Sequence, residues 1–144
     1  MAVSFTNNWK NILDKLENIL RDEFKGALPV YKGNKTPAGT AYIQLNPVGS
    51  ELLEYMSHAE TREFTIQILY YVAEANVKEA SMEHILRTVS RVEALIHSYI
   101  TMTLSDNSKA IDCRLQSTEL NADEDGGMYV VEWEFKCLHT GNIS

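Results

Sequence analysis

Two groups of carboxylates are the residues of this chain best suited to chemistry by type and spacing. Glu132 and Glu134 stand two residues apart within a run of alternating polar and apolar residues. That spacing places both side chains on one face of a strand, where a pair of carboxylates can act as general acid and base. Because nothing near them in the sequence indicates a concave pocket, we interpret them as the solvated, or lumen-facing, side of a sheet.

The second group is an acidic cluster formed by Asp123, Glu124 and Asp125 ahead of two glycines. A calcium loop needs more ligand oxygens at set spacings, with a later bidentate carboxylate, and only fragments of that pattern occur here. We expect either a solvated hairpin tip or a contact with a basic partner. The basic candidate is the loop that carries Lys32 and Lys35, on a neighbouring copy of the chain.

The histidines do not follow a metal-ligand or catalytic pattern. His84 and His97 are thirteen residues apart on one predicted helix, too far for a shared metal on one turn. His58 and His139 belong to a loop and to a strand end. We expect structural or surface roles for all four, with no cofactor, no metal and no catalytic residue.

The two cysteines bear on strand register. A hairpin symmetric about the turn near Asp125 would oppose three inward pairs, namely Cys113 with Cys137, Leu115 with Phe135 and Ser117 with Trp133. Directly opposed Cα atoms lie about 4.5–5.5 Å apart, which a disulfide tolerates. Since the N-terminus carries no export signal, we favour reduced, buried thiols over a crosslink.

The elements that position these residues follow from two hydrophobic periods. A helical stripe runs through residues 6–25 and 81–100, and two-residue alternation marks strands at 41–46, 62–73, 110–119 and 128–139, with a Gly- and Pro-containing loop at 26–40. The order α-β-β-α-β-β over one domain, residues 1–144, predicts an α+β fold. We expect two helices packed on one face of a mainly antiparallel four-stranded sheet. Its third strand should bury Ile111, Cys113 and Leu115.

Two features leave open what the fold packs against. The connection from Val48 to Thr61 is too long for a tight hairpin and carries apolar residues such as Leu52, Leu53 and Tyr55. It packs either on its own domain, which we favour, or on a neighbour. The sheet face away from the helices mixes polar and apolar residues, which indicates either contact with another chain or ordinary surface scatter.

Composition narrows the function classes. A content of 44% hydrophobic and 23% charged residues is that of a globular protein. The net charge of −7 argues against nonspecific binding to nucleic acid, which needs a basic surface. The longest apolar runs are strand-length, so we expect no membrane segment and no signal peptide, and a chain that is cytosolic at synthesis.

Several segments resemble the bacteriophage tail terminator, or tail completion, proteins. The likeness rests on the Gly and Pro loop before the first strand, the strand from Arg62 to Tyr71, the second helix from Ile85 to Ile96, and the final hairpin with Glu132, Trp133, Glu134 and Phe135. It extends over nearly the whole chain as a pattern of elements, without a diagnostic motif.

The resemblance implies a structural virion protein of the tail or neck, assembled in the host cytoplasm. Members of the family form a hexameric ring that caps the tail tube, ends tube polymerisation and provides the surface for head-tail joining to a connector or neck protein. The ring places sheet surfaces around a channel through which DNA passes as cargo, helices outside, and extended loops between subunits. The family has no catalytic residues to transfer.

Such a ring gives the charged residues a role. Glu132 and Glu134 would face the channel and repel the DNA backbone. A head-to-tail ring also needs two different complementary patches on each subunit. We expect the acidic cluster at residues 123–125 and the basic loop with Lys32 and Lys35 to meet across the subunit boundary.

Two other functions fit the same residues. The first is a non-viral soluble module that binds a protein partner through the mixed sheet face. The second is a small ligand-binding protein or enzyme, with Glu132, Glu134 or His139 as polar groups in a cleft between sheet and helices. Architecture alone does not separate these functions, because folds of this kind host many of them.

Overall fold

A computed structural model describes residues 6–33, 41–55, 59–73, 79–123 and 128–142 of the chain. Helix α1 spans Asn8–Phe24 and helix α2 spans Glu79–His97. Asn7 caps α1, because its side-chain oxygen accepts a hydrogen bond from the Lys10 amide at 3.1 Å. The helix ends where Lys25 and Gly26 both adopt positive φ, at 49° and 85°, which turns the chain out of the helix.

Six strands form one mixed, strongly curled half-barrel sheet. They are β1 Val30–Lys32, β2 Ala41–Tyr55, β3 Ala59–Ala73, β4 Met102–Thr103, β5 Lys109–Asp123 and β6 Met128–Asn142. The strand order is β1-β2-β3-β6-β5-β4. The β1–β2 pair is parallel, and the other four pairs are antiparallel.

The prediction of a four-stranded, mainly antiparallel sheet is therefore wrong. The two strands that it lacks, β1 and β4, have three and two residues and lie at the two edges. A segment that short cannot show a two-residue period, so the pattern that identifies strands in a sequence does not detect it. The parallel β1–β2 pair is what makes the sheet mixed.

The hairpin of β2 and β3 is much longer than the sequence indicates. The predicted strand at 41–46 continues to Tyr55, and most of the predicted connection at 48–61 is paired sheet. Register shifts between Pro47 and Gly49 and between Leu52 and Glu54 interrupt the alternation, because each β-bulge inserts an extra residue. The hairpin tip at 56–58 lies outside the described residues.

One hydrophobic core joins both helices to one face of the sheet. The buried residues of the helices and of the two central strands are Ile12, Leu16, Ile19, Leu20, Phe24, Ile85, Val89, Val92, Ile96, Phe64, Ile66, Ile68, Tyr70, Val131, Trp133, Phe135 and Cys137. Trp133 and Phe135 are the largest side chains that are wholly buried. We call the opposite sheet face, which points away from the helices, the outer face.

Strand β5 departs from the predicted register. Leu115 lies opposite Phe135 as predicted, but Thr118, rather than Ser117, lies opposite Trp133. An irregularity between Ile111 and Arg114, with Asp112 at φ 52°, leaves Ile111 45% exposed instead of inward.

The same irregularity affects the cysteine pair. Neither thiol forms a disulfide, and both Cys113 and Cys137 are buried. They are not a directly opposed pair, because Cys113 falls within the irregular stretch of β5. The backbone N–H of Cys113 donates a hydrogen bond to the carbonyl of Ile100, at 2.9 Å, in the turn after α2.

Candidate functional site

The outer face carries a row of charged side chains from β3, β5 and β6. The pleat places them between the core residues of each strand, and cross-strand pairing brings Glu63 beside Leu138, Gln67 beside Glu134 and Glu119 beside Glu132. The ionisable members of this row are Glu63, Arg114, Glu119, Glu132, Glu134 and Lys136. Four acidic groups against two basic ones leave the row net acidic.

The two sequence-predicted glutamates lie on this outer face and are partly exposed. An oxygen of Glu132 accepts a hydrogen bond from the Gln67 amide at 2.5 Å. Glu134 lies 3.5 Å from the Lys136 ammonium. Because Glu119 stands directly opposite Glu132, the acidic character is strongest toward the β5–β6 hairpin.

The basic groups gather at the other end of the row, around Glu63. This carboxylate lies 2.9 Å from an Arg114 nitrogen and 3.4 Å from the Lys136 ammonium. The hydrogen bond from Arg114 is the main reason that the pKa of Glu63 falls below its ordinary value, with Lys136 adding to the effect. The outer face is therefore polarised, with one neutralised end and one acidic end.

The predicted basic loop and acidic cluster fall largely outside the described residues. Lys35, Glu124 and Asp125 lie outside them, and Asp123 is placed only as the last residue of β5, paired with Met128. Lys32 is described, and its ammonium lies 2.5 Å from a carboxylate oxygen of Asp14 in the same chain. The contact between loop and cluster stays a prediction, and Lys32 already has an acidic partner.

His139 is buried on the helix side of β6, with 1% of its surface exposed. Its Nε2 is 2.9 Å from the Ser108 hydroxyl, which in turn donates to a carboxylate oxygen of Asp106 at 2.5 Å. Burial lowers the pKa of His139, and Asp106 only partly offsets that effect. The sequence gave no signal that Ser108, in the turn before β5, reaches His139 near the end of β6.

The His139 chain of hydrogen bonds differs from a nucleophile–base arrangement. Because the Ser108 hydroxyl donates to Asp106, Ser108 can only accept a hydrogen bond from His139 Nε2, whereas a nucleophile would give its proton to the base. These three hydrogen-bonded residues border a cavity of about 350 Å³, which is lined by Thr6, Asn8, Asp106, Asn107, Ser108, His139, Thr140 and Gly141. Glu132 and Glu134 lie on the outer face, so the structure does not bring them together with His139 in one cleft.

Exposed apolar side chains are concentrated at the edges of the sheet. Among the described residues nine large apolar side chains are exposed, and the first four in the chain lie on β2: Val48, Leu52, Leu53 and Tyr55. Ile111 and Leu120 lie on β5, and Tyr99 and Ile100 lie in the turn between α2 and β4. The ninth, Leu86, is on α2. On the outer face, by contrast, Leu69 is buried, and Tyr71, Val130 and Leu138 are half-buried.

Two further properties of the described residues concern metal binding and membrane crossing. No three His, Cys, Asp or Glu side chains within them lie close enough together to hold a metal ion. Neither of the two helices has the length and apolar character needed to cross a membrane.

Comparison with known proteins gives two solved structures of similar fold. One, known only by a sequence number, matches with a TM-score of 0.66 and 12% identity over 94% of this chain and 97% of its own. The other belongs to the virion of a native gene transfer agent particle, and matches with a TM-score of 0.57 and 13% identity over 90% of this chain and 98% of its own. No protein-family model and no curated protein matches. The chain thus shares its fold with a component of a virion particle.

Proposed function

We propose that the chain is a structural virion protein that forms a ring of six copies on the end of a tail tube. The ring ends tube polymerisation and provides the surface for joining a head connector or neck protein. The observation that carries the proposal is the shared fold with a chain of a gene transfer agent virion, which covers 90% of this chain and 98% of that one. The resemblance of the sequence to tail terminator proteins supports the finer assignment.

The outer face suits the wall of a channel for DNA. The helices lie on the outside of the ring, so the outer face of the sheet, which points away from them, faces the central channel. Its acidic end, formed by Glu119, Glu132 and Glu134, repels the phosphate backbone of DNA that passes through. We expect Glu132→Lys combined with Glu134→Lys to slow DNA ejection from assembled particles. A matched control is Asp22→Lys with Glu83→Lys, because both residues are exposed on the helices and the change in net charge is the same. Equal ejection rates for the two double variants would contradict a channel-facing role.

The ring itself is tested by native mass spectrometry over a range of concentrations, alone and with tubes assembled from a tail tube protein. We expect a closed hexamer, either free or only on tube ends. In a parallel polymerisation assay, increasing amounts of the chain should shorten the tubes seen by electron microscopy, because capped ends stop growing. A monomer or dimer that leaves tube length unchanged would overturn the proposal.

One observation favours a second candidate, a soluble module that binds a protein partner. Leu52, Leu53 and Tyr55 are exposed by 45%, 52% and 67% on the same strand, which is the kind of surface that another protein covers. The module would remain monomeric and ignore tubes. The same mass spectrometry experiment therefore separates the two functions.

A further inference from the structure

The sheet has two long strand edges that pair with no other described residue. Strand β1 covers only residues 43–45 of β2, and the Gly33 amide adds one bond to the Leu45 carbonyl. Strand β4 covers only residues 109–110 of β5, and Ile100 adds one bond to Cys113. Residues 46–55 of β2 and 114–123 of β5 therefore form the two open edges, ten residues each, on opposite sides of the sheet.

The unpaired N–H and C=O groups of an open edge that long can template pairing with another chain. Five of the nine large apolar side chains that are exposed among the described residues lie on the two open edges, four on β2 and Leu120 on β5. Both observations indicate that a partner strand covers each edge.

The two open edges are complementary in direction. Because β2–β3, β3–β6 and β6–β5 are all antiparallel pairs, β2 and β5 run in opposite directions within the sheet. If copies are placed side by side, β5 of one copy meets β2 of the next in an antiparallel pair, and the alternation of the sheet continues. The contact is head-to-tail, with a different edge from each copy, as a closed ring requires.

The stagger of the open edges fits closure into a barrel. Glu51 is level with Glu63, Leu138 and Ile111 across the sheet, whereas Ser117 on the open β5 edge is level with Glu134, four residues from Leu138 along β6. Four residues correspond to about 13 Å along a strand, and the four strand spacings from one β2 to the next span about 19 Å. Pairing Glu51 with Ser117 thus requires a strand tilt of about 35°, at the lower end of the range of about 35–45° in closed barrels.

We infer that neighbouring copies join through an antiparallel ladder between residues 114–123 of β5 in one copy and residues 46–55 of β2 in the next, which makes the sheets of the ring one continuous barrel. The inference rests on the proposed ring. With this four-residue stagger, Glu51 comes opposite Ser117. Both side chains belong to the outer face, since Glu51 pairs with Glu63 and Ser117 pairs with Glu134, so the alignment respects the pleat.

Engineered cysteines test this alignment. Glu51 and Ser117 are both exposed, and directly opposed Cα atoms at about 4.5–5.5 Å permit a disulfide. Within one copy they are separated by three strand spacings and about four residues along the strands, or about 20 Å, so a crosslink must join two copies. We expect oxidised Glu51→Cys with Ser117→Cys to run as a ladder of covalent multimers in non-reducing gels, and to return to monomer on reduction.

Two control variants keep the Glu51→Cys substitution and change or omit the second cysteine. Glu51→Cys with Thr118→Cys moves the second thiol by one residue to the helix side, since Thr118 pairs with Trp133, and it should stay monomeric in the gel. Glu51→Cys alone excludes crosslinks to the native buried cysteines. Glu51→Cys with Glu119→Cys tests the same ladder slipped by two residues, and a multimer ladder from this pair also supports the edge pairing.

The outcomes separate this inference from the proposed function. A hexamer in native mass spectrometry with no crosslink from either same-face pair overturns the edge pairing and leaves the tail-terminator proposal standing. Equal crosslinking by the Thr118→Cys variant also overturns it, because a ladder fixes which face each residue occupies. If no ring forms, alone or on tubes, the proposed function and the edge pairing both fail.

Discussion

Trp133 gives the sharpest test of how the core is packed. Its side chain is wholly buried on β6, opposite Ile68 on one side and Thr118 on the other. The indole Nε1 is buried and has no hydrogen-bond partner among the described residues. Buried donors are almost always paired, so the indole N–H is an energetic cost that the surrounding apolar contacts offset.

Replacing Trp133 by Phe removes both the unpaired N–H and part of the packing. The loss of about 40 Å² of buried apolar surface costs about 1 kcal/mol. A residual cavity of about 40 Å³ costs about another 1 kcal/mol. Removing an unpaired buried N–H returns about 1–3 kcal/mol. We therefore expect Trp133→Phe to change the free energy of unfolding by no more than about 1 kcal/mol.

The assay is urea unfolding followed by circular dichroism, with all variants at one protein concentration because association would raise apparent stability. Phe135→Ala is the control, since Phe135 is equally buried on the same face and has no polar atom; it should lose about 3–5 kcal/mol. A loss of about 3 kcal/mol or more in Trp133→Phe, with an unchanged m-value, would refute the reasoning. It would mean that the indole N–H makes a stabilising hydrogen bond.

Three other changes have defined outcomes. Because burial lowers the pKa of His139, the unfolded chain binds the proton more readily, so stability should fall as pH drops below about 6.5, and His139→Gln should flatten the melting temperature between about pH 7.5 and 5. Asp14→Asn removes the partner of Lys32 at a partly exposed site, so unfolding should show a loss of at most about 1 kcal/mol that shrinks in high salt. Gly141→Ala would place a Cβ 3.0 Å from the His139 ring and should lower the melting temperature, whereas Gly49→Ala, with nothing within 4 Å, should lower it less.

The sequence predicted the central strands β3 and β6 because they satisfy the assumptions of the two-residue pattern. Each is central, paired on both sides, and buries one face against the helices. Phe64, Ile66, Trp133 and Phe135 are accordingly all buried. The pattern failed for Ile111, because the positive φ at Asp112 inserts an irregularity that no residue type in the segment announces.

The candidate surfaces were only partly accessible from sequence. The placement of Glu132 and Glu134 on one strand face follows from their spacing, and the structure has them on the outer face. The spacing does not show which side chains of other strands lie on the same face. The Arg114 and Lys136 contacts to Glu63 depend on which strands are adjacent, since these residues come from three different strands.

The open edges could not be predicted, because an edge is defined by the length of the neighbouring strand rather than by its own residues. Leu52, Leu53 and Tyr55 nevertheless gave a signal, since a connection with that many apolar residues usually packs on something. Packing on its own domain was the favoured interpretation, and it is wrong, because all three side chains are exposed. The alternative, contact with another chain, is the one that the inferred edge pairing develops. The ten-residue edge that these side chains flank identifies strand pairing as the simplest contact to bury them, since it satisfies the backbone and the apolar side chains together.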